Sequence, residues 1–162
     1  MESTGMSAAK VMVTGGAGFI GSELVRQLAA TGCRQVLVVD NLVNGRRENL
    51  EGLASGLVEL EVADIRDQER MRRLLRGVDI VFHLACLGVR HSIHSPEENH
   101  EVNATGTLKL LIAARDAGVK RFVYVSSSEV YGTAQIVPMT EEHSTSPTTV
   151  YGSSKLSGEC YA

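Results

Sequence analysis

Several residue types that mark other classes of protein are scarce or missing in this chain of 162 residues. Tryptophan is absent and aromatic residues make up only 4%, so we expect no stacking platform for single-stranded nucleic acid. The formal net charge of −3 argues against a protein that binds the phosphate backbone. No apolar run approaches the length of a membrane span, and the first ten residues lack the hydrophobic core of a signal peptide. Neither a nucleic-acid nor a membrane partner is predicted.

Cysteine is scarce as well. Cys33, Cys86 and Cys160 are odd in number and form no CxxC pair, which favours reduced thiols over a disulfide framework or a zinc site. Three histidines at positions 91, 94 and 100 lack a carboxylate or cysteine partner at metal-ligand spacing, so no metal is predicted. With 43% hydrophobic and 22% charged residues, the chain is typical of a globular protein, and we expect it in the cytoplasm.

Apolar runs alternate with segments of helical periodicity, which is the pattern of a parallel sheet built from βαβ units. We expect strands near residues 10–14, 35–40, 58–62, 80–84 and 121–126, and helices near 20–31, 68–75, 96–117 and from 149 onward, with Thr149 or Thr148 as the cap. The right-handed crossover rule then predicts an α/β fold, a Rossmann-type doubly wound parallel sheet of strand order 3-2-1-4-5. Residues 1–9 are expected to be disordered, and residues 10–162 to form an incomplete domain that lacks the later strands and a substrate domain.

A glycine-rich segment follows the first predicted strand, reading Val-Met-Val-Thr-Gly-Gly-Ala-Gly-Phe-Ile-Gly over Val11–Gly21. Gly15 permits a tight turn out of the strand, and Gly18 removes the Cβ where a phosphate must approach the backbone. Gly21 lets the following helix pack closely on the sheet. This arrangement predicts a pyrophosphate bound at a helix N-terminus.

An acidic residue completes the dinucleotide pattern. Asp40 ends the second apolar run, nineteen residues after Gly21, close to the spacing of a carboxylate that accepts from the adenosine ribose hydroxyls. Arg46 and Arg47 could receive a 2′-phosphate. Because the Asp40 carboxylate would repel that phosphate, the sequence predicts NAD rather than NADP.

A second group of polar residues lies toward the end of the chain. Tyr151 and Lys155 are spaced i and i+4, so they share a helix face. A nearby ammonium lowers the pKa of a tyrosine from about 10 and suits it to act as a general base on a sugar or alcohol hydroxyl. Three serines, Ser126–Ser128, follow the fifth predicted strand, where one could hydrogen-bond the same oxygen. Alternatively, Tyr151 and Lys155 are a surface pair at helical spacing, and the serines are a polar segment where the strand passes into a loop.

Together these motifs resemble the extended short-chain dehydrogenase/reductase family, in its nucleotide-sugar epimerase/dehydratase branch. The likeness runs from Val11 to Ala162. It rests on the glycine motif, the second-strand segment Asp40–Leu50, Asp64-Ile65, His83-Leu84-Ala85, and Asn103 with Gly106-Thr107. Cys86 stands where alanine is usual.

The resemblance implies NAD as cofactor and a set of site residues. Those implied to bind the cofactor are Gly15, Gly18, Phe19, Ile20, Gly21, Asp40, Asn41, Asp64, Ile65, Leu84, Ala85, Asn103, Tyr151 and Lys155. Ser127, Tyr151 and Lys155 are implied as a catalytic triad, with Lys155 also holding the nicotinamide ribose and Glu129 as a further candidate acid or base. The implied partners are a UDP- or dTDP-linked sugar and a second copy of the chain, docked through the helices near 96–117 and 149–162.

The implied mechanism is transient oxidation, in which Tyr151 takes a proton from the sugar while hydride passes to tightly held NAD⁺. The reaction within the branch stays open. Ser128 replaces the aspartate of the dehydratase loop Thr-Asp-Glu-Val-Tyr-Gly, which weakens the dehydratase interpretation, while Ser-Glu-Val-Tyr-Gly is similar to the decarboxylase version. An epimerase is favoured because epimerases tolerate varied residues at both positions. A UDP-glucuronate decarboxylase and a dTDP-sugar 4,6-dehydratase are the alternatives. The chain ends seven residues after Lys155, so a truncated NAD-binding module without turnover is a further alternative.

Overall fold

The computed structural model describes residues 8–162. Most of the expected disordered segment, residues 1–7, lies outside the described part, whereas Ala9 is buried and the Ala8 N–H donates to the Gly32 carbonyl at 3.3 Å. The chain divides into two compact units. The first unit extends to Ala85 and includes Lys109–Val123, and the second unit consists of Cys86–Leu108 and Tyr124–Ala162.

Five parallel strands form the sheet, in the predicted order β3-β2-β1-β4-β5. Their bounds are β1 Lys10–Thr14, β2 Gln35–Asp40, β3 Val58–Val62, β4 Ile80–His83 and β5 Arg121–Tyr124. In register, Val11 lies beside Val36 on one side and Ile80 on the other. The fold class is confirmed. β4 and β5 end one and two residues earlier than predicted, because the chain leaves the hydrogen-bonded ladder at the carboxyl edge.

Side-chain alternation along the strands of the first unit separates two apolar clusters. Met12 and Leu37 lie in one cluster with Met71 of α2 (Gln68–Leu74), whereas Val13 and Val25 of α1 (Phe19–Ala29) lie in the other. β1 and β2 are buried over nearly all their residues, as expected for strands covered on both faces. These apolar runs, rich in β-branched residues, explain why the strand bounds are predicted closely.

The helix predicted near residues 96–117 is wrong as a single regular α-helix. A short helix α3 (Val89–His94) precedes it, and the predicted span contains α4 (Pro96–His100), a π-helical turn (Glu101–Gly106) and α5 (Thr107–Asp116). The π turn encloses the buried side chain of Asn103, and Thr107 Oγ1 donates to the Asn103 carbonyl at 2.7 Å. Such one-turn widenings arise from tertiary contacts, so helical periodicity does not reveal them.

The last helix, α6 (Val150–Tyr161), begins directly after Thr149. Thr149 Oγ1 accepts from the Gly152 N–H at 2.9 Å, which identifies Thr149 as the cap of the two candidates. Within residues 8–162, no helix is long and apolar enough to cross a membrane.

Two leucines two residues apart allow a matched test of the core. Leu110 of α5 is 1% exposed and lies in the cluster with Met12, whereas Leu108 of the same helix is 38% exposed. We expect Leu110→Ala to lower the free energy of unfolding by about 2–5 kcal/mol, because it leaves a cavity. Leu108→Ala should cost about 1 kcal/mol or less. Urea denaturation measures both losses, and equal losses would contradict this packing.

Candidate active site

The glycine loop of the first unit folds back tightly after β1. Gly15 adopts φ +70° and donates its N–H to the Val39 carbonyl at 2.8 Å. A Cβ on Gly15 would lie 2.7 Å from the Ala85 nitrogen, and one on Gly21 would collide with the Gly15 carbonyl oxygen. Because these are backbone contacts that cannot yield easily, the loop conformation requires glycine at both positions.

The N-terminus of α1 is uncapped and has space for an anion. Gly18 is the N-cap, no side chain caps the helix, and its first turn carries no acidic residue. A Cβ on Gly18 would approach only the Gly15 oxygen, at 3.2 Å, while the side chains of Phe19 and Ile20 are 92% and 66% exposed. The first N–H groups of an α-helix have no partner within the helix and carry partial positive charge. The space and the donors therefore fit a phosphate group.

Asp40 is buried at the end of β2 and joins two loops. Its Oδ2 accepts from the Ala17 N–H at 3.0 Å, and its Oδ1 accepts from the Leu42 N–H at 2.8 Å. A Cβ on Gly45 would lie 2.7 Å from both carboxylate oxygens. Each oxygen retains a further lone pair, so the carboxylate can still accept from a ribose hydroxyl.

Asn41 and Asp64 come together as expected for residues that follow neighbouring strands. Asn41 Nδ2 donates to Asp64 Oδ2 at 3.4 Å. Arg66 donates through Nε at 3.0 Å and through Nη2 at 2.7 Å, so it grips both carboxylate oxygens of Asp64. This hydrogen bonding from Arg66 lowers the pKa of Asp64 below its ordinary value, against a smaller opposing effect of burial. The Ile65 side chain is buried.

The end of β4 is tied to the glycine loop through Thr14. Its hydroxyl accepts from the Ala85 N–H at 3.3 Å and lies 2.6 Å from Nδ1 of the buried His83. The tautomer of His83 sets which of the two groups donates in this contact. The Leu84 N–H donates to the Thr14 carbonyl at 3.0 Å. These contacts hold Leu84 and Ala85 beside the start of the loop.

In the second unit, a glycine brings α6 against the turn that follows β5. The turn is a 3₁₀ segment, Ser128–Val130. A Cβ on Gly152 would lie 2.6 Å from the Glu129 carbonyl oxygen, so only glycine permits this approach. The first turn of α6, with Tyr151, is thereby placed beside Ser127.

The phenol of Tyr151 lies near the side chains of Ser127 and Cys86, and both influence its pKa. Ser127 Oγ also accepts from the Glu129 N–H at 3.2 Å. Burial is the largest influence on Tyr151 and raises its pKa above the ordinary value. Cys86 and the charge of Glu129 act in the same direction, and Ser127 opposes them. Tyr151 is therefore a neutral phenol at pH 7 in this environment.

Lys155 does not act on Tyr151 as expected from the spacing alone. Its buried ammonium donates to the Val125 carbonyl at 2.6 Å and lies 4.7 Å from the centre of the Tyr124 ring. Burial lowers the pKa of Lys155. The expected lowering of the Tyr151 pKa is wrong for this structure, because the ammonium is directed at Val125 and Tyr124, and burial of the phenol dominates.

The side-chain amide of Asn103 makes its hydrogen bonds to other groups of the second unit. Its Oδ1 accepts from the Leu87 N–H at 2.8 Å, while its Nδ2 donates to the Leu87 carbonyl at 2.8 Å and to Asn99 Oδ1 at 3.1 Å. Both amide hydrogens are thus used inside the second unit. The geometry supports a positioning role for Asn103, which holds the segment after β4.

Two neighbours of the acid–base groups were missed by sequence reasoning. Tyr124, whose ring lies under Lys155, belongs to no motif. The other is Cys86, whose only signal in the sequence is that it stands where alanine is usual. Glu129, the further candidate acid or base, is half-buried and accepts from Thr149 Oγ1 at 3.4 Å. Within residues 8–162, no three His, Cys, Asp or Glu side chains are grouped so as to hold a metal ion.

Comparison with known proteins assigns the family. The model of the family described as GDP-mannose 4,6 dehydratase matches residues 12–162. The chain belongs to this family. The resemblance to the nucleotide-sugar epimerase/dehydratase branch of the extended short-chain dehydrogenase/reductases is thereby confirmed.

The named relatives include both epimerases and a dehydratase. The UDP-glucose 4-epimerase of Streptomyces lividans is 41% identical over 151 residues, which cover 91% of this chain and 44% of that protein. The dTDP-glucose 4,6-dehydratase of Streptomyces venezuelae, solved with NAD bound, is 40% identical with a TM-score of 0.89 over 94% of this chain and 50% of that one. The UDP-N-acetylglucosamine 4-epimerase of Methanobrevibacter ruminantium, in complex with UDP-N-acetylmuramic acid, is 35% identical with a TM-score of 0.89 over 96% of this chain and 49% of that one. The chain therefore spans about half the length of these relatives.

The cap of α6 can be tested with two adjacent threonines. Thr149→Ala removes the acceptor for the Gly152 N–H, and we expect it to lower the free energy of unfolding by about 1 kcal/mol. Thr148 is exposed and precedes the cap, so Thr148→Ala should change it by less than about 0.5 kcal/mol. Chemical denaturation followed by far-ultraviolet circular dichroism compares the two variants. A larger loss for Thr148→Ala would contradict the cap assignment.

Proposed function

We propose that this chain carries the NAD-binding and acid–base groups of a nucleotide-sugar 4-epimerase. The observation that carries this proposal is the placement of Tyr151 beside Ser127, with the buried Lys155 on the same helix, in a member of the family. The relatives named as UDP-glucose and UDP-N-acetylglucosamine 4-epimerases support the choice of reaction. The solved relatives that hold NAD support the choice of cofactor.

The first unit supplies the groups for the adenosine diphosphate half of NAD. The open N-terminus of α1, with Gly18 as its cap, receives the pyrophosphate. Asp40 accepts from the adenosine ribose, and its carboxylate disfavours the 2′-phosphate of NADP. Asn41 and Asp64, which lie together, are proposed to face the adenine end, as the family resemblance implies.

The second unit supplies the groups that act on the sugar. Tyr151 takes the proton of the sugar C4 hydroxyl, and the neighbouring Ser127 favours the phenolate form of Tyr151 because it lowers the pKa of the phenol. Lys155 is proposed to hold the nicotinamide ribose, as the resemblance implies. NAD⁺, when bound, would supply the hydride acceptor for oxidation of the sugar carbon and the hydride for its later reduction. Return of the proton from Tyr151 restores the hydroxyl with inverted configuration.

One observation supports a second candidate reaction. The Glu129 carboxylate is half-buried and close enough to Tyr151 to raise the pKa of its phenol. A carboxyl group beside the keto-sugar suits the removal of water or of a carboxylate, the reactions of a dTDP-sugar 4,6-dehydratase or a UDP-glucuronate decarboxylase. Product analysis separates the three: a C4 epimer, a product lighter by one water, or released carbon dioxide.

The proposed partners are a UDP- or dTDP-linked sugar and a second copy of the chain. The dimer expected through the helices near 96–117 and 149–162 stays a prediction. In the second unit, the exposed apolar side chains of Leu108 and Val150 are ones that such an interface would bury.

Cofactor binding can be tested at the glycine loop. Gly18→Val places a branched side chain at the open N-terminus of α1, so we expect a loss of NAD affinity of at least about 100-fold, the scale of a lost charge-assisted phosphate contact. Gln27→Val introduces the same side chain at an exposed position of the same helix and should leave the affinity unchanged. Isothermal titration calorimetry measures both, and unaltered NAD affinity in Gly18→Val would refute the proposed pyrophosphate site.

The proposed base can be tested with a matched pair of tyrosines on α6. We expect Tyr151→Phe to slow the single-turnover reduction of NAD⁺ by UDP-glucose roughly 10²–10⁴-fold. Tyr161→Phe, at the exposed end of the same helix, should match the wild type. Because the pKa of Tyr151 is raised, the wild-type rate should increase with pH from neutral into the alkaline range.

Two outcomes of that experiment would contradict the proposal. Equal rates in Tyr151→Phe and the wild type would exclude Tyr151 as the base. A wild-type protein that binds NAD⁺ but reduces none with UDP-glucose, UDP-glucuronate or dTDP-glucose would favour the NAD-binding module without turnover.

A further inference from the structure

The backbone of Ala17, in the glycine loop, is held through both its N–H and its carbonyl. The N–H donates to Asp40 Oδ2 at 3.0 Å. The carbonyl accepts from Asn49 Nδ2 at 2.7 Å and from the Arg46 N–H at 3.0 Å. Ala17 itself is fully buried. The Asp40 carboxylate is therefore coupled, through one residue of the loop, to the side chain of Asn49.

The backbone of Asn49 is bound to a second element. Asn49 is half-buried in a 3₁₀ turn, Arg47–Leu50, and its carbonyl accepts from Nη1 and Nη2 of Arg26 on α1 at 3.0 and 2.6 Å. The side chain of Asn49 thus bonds to the glycine loop, while its backbone bonds to the helix that follows this loop. Both contacts hold the segment after β2 against the glycine loop.

We propose that Asn49 is a positioning residue that fixes Asp40 through Ala17 and thereby sets the preference of the site for NAD over NADP. Asn49 touches neither the ribose nor the phosphates in this proposal, and it acts only through the backbone of the glycine loop. The inference deepens the proposed function, and it rests on that function for the statement that Asp40 accepts from the adenosine ribose.

The link to Ala17 controls the orientation of the Asp40 carboxylate relative to the glycine loop. The Leu42 N–H also donates to this carboxylate, at 2.8 Å, but Leu42 belongs to the same chain segment and moves with it. Arg46 and Arg47 are exposed in that segment. With Asp40 free to turn away, a 2′-phosphate would meet less repulsion and more attraction from the two guanidinium groups.

The positioning step can be tested without any cofactor, by hydrogen exchange detected with NMR. Asn49→Ala removes the donor to Ala17, and Asn49→Leu removes it while keeping a branched side chain of similar size. In both variants we expect the Ala17 amide to exchange about 3- to 10-fold faster, the effect of one lost hydrogen bond. The Gly15 amide, which donates to the Val39 carbonyl, should exchange as in the wild type. Asn44→Ala, at an exposed position of the same segment, should leave both amides unchanged.

The consequence for cofactor preference is measured by calorimetric titration of the same variants with NAD and with NADP. We expect Asn49→Ala and Asn49→Leu to bind NAD about 3- to 10-fold more weakly than the wild type. Their affinity for NADP should fall less, so the ratio of the two affinities narrows. A general loosening of the fold would weaken both cofactors by the same factor and leave that ratio unchanged. Asn44→Ala should bind both cofactors as the wild type does.

The two measurements separate this inference from the proposed function. Effects in Asn49→Ala that are absent from Asn49→Leu would mean that Asn49 only fills space, and they would overturn the proposal. Unchanged exchange of the Ala17 amide in both variants, or an equal loss of affinity for the two cofactors, would overturn it as well. A wild-type protein that binds neither cofactor would contradict the proposed pyrophosphate site and the preference for NAD, whereas the exchange rates would still decide whether Asn49 positions Ala17.

Discussion

The backbone of Gly15 lies against the backbone of Ala85 at a distance that admits no side chain. The geometry of the glycine loop depends on this contact. It allows the chain to turn out of β1 with φ +70°, and it brings the end of β4 into reach of the Thr14 hydroxyl. Gly21 then closes the loop from the other end, and α1 begins at Phe19 with its N–H groups unoccupied by any side chain. The loop has no room for a side chain at Gly15 or Gly21, and this close packing accompanies the uncapped N-terminus of α1.

In the second unit, too, a glycine permits a close approach between two backbone segments. Gly152 lets the first turn of α6 rest against the Glu129 carbonyl, so the phenol of Tyr151 lies near Ser127 and is partly buried. Burial influences the protonation of Tyr151 and Lys155 more strongly than the nearest charge does: the pKa of Tyr151 is raised and that of Lys155 is lowered. Proximity of a tyrosine and a lysine in sequence thus does not by itself activate the tyrosine.

Much of the fold could be predicted from the sequence because its signals are local. The apolar runs predicted the strands, and their alternation with helical segments predicted the topology. The π turn at Glu101–Gly106 could not be predicted, since it accommodates a buried side chain that bonds to a distant backbone segment. The direction of the Lys155 ammonium and the placement of Cys86 near Tyr151 also depend on packing between elements far apart in sequence. The motif residues were found by type and spacing, whereas their hydrogen-bond partners were not.

The side chain of Asn103 pairs with both the N–H and the carbonyl of Leu87. A residue of a neighbouring β-strand would make the same two hydrogen bonds through its backbone N–H and carbonyl. The Asn103 side chain makes them with Leu87, which follows the end of β4. Aspartate presents acceptors only, leucine presents neither group, and glutamine places its amide one methylene farther out. Position 103 therefore needs an N–H donor and a carbonyl acceptor at this distance from the backbone, although it stands in a helix and carries no charge.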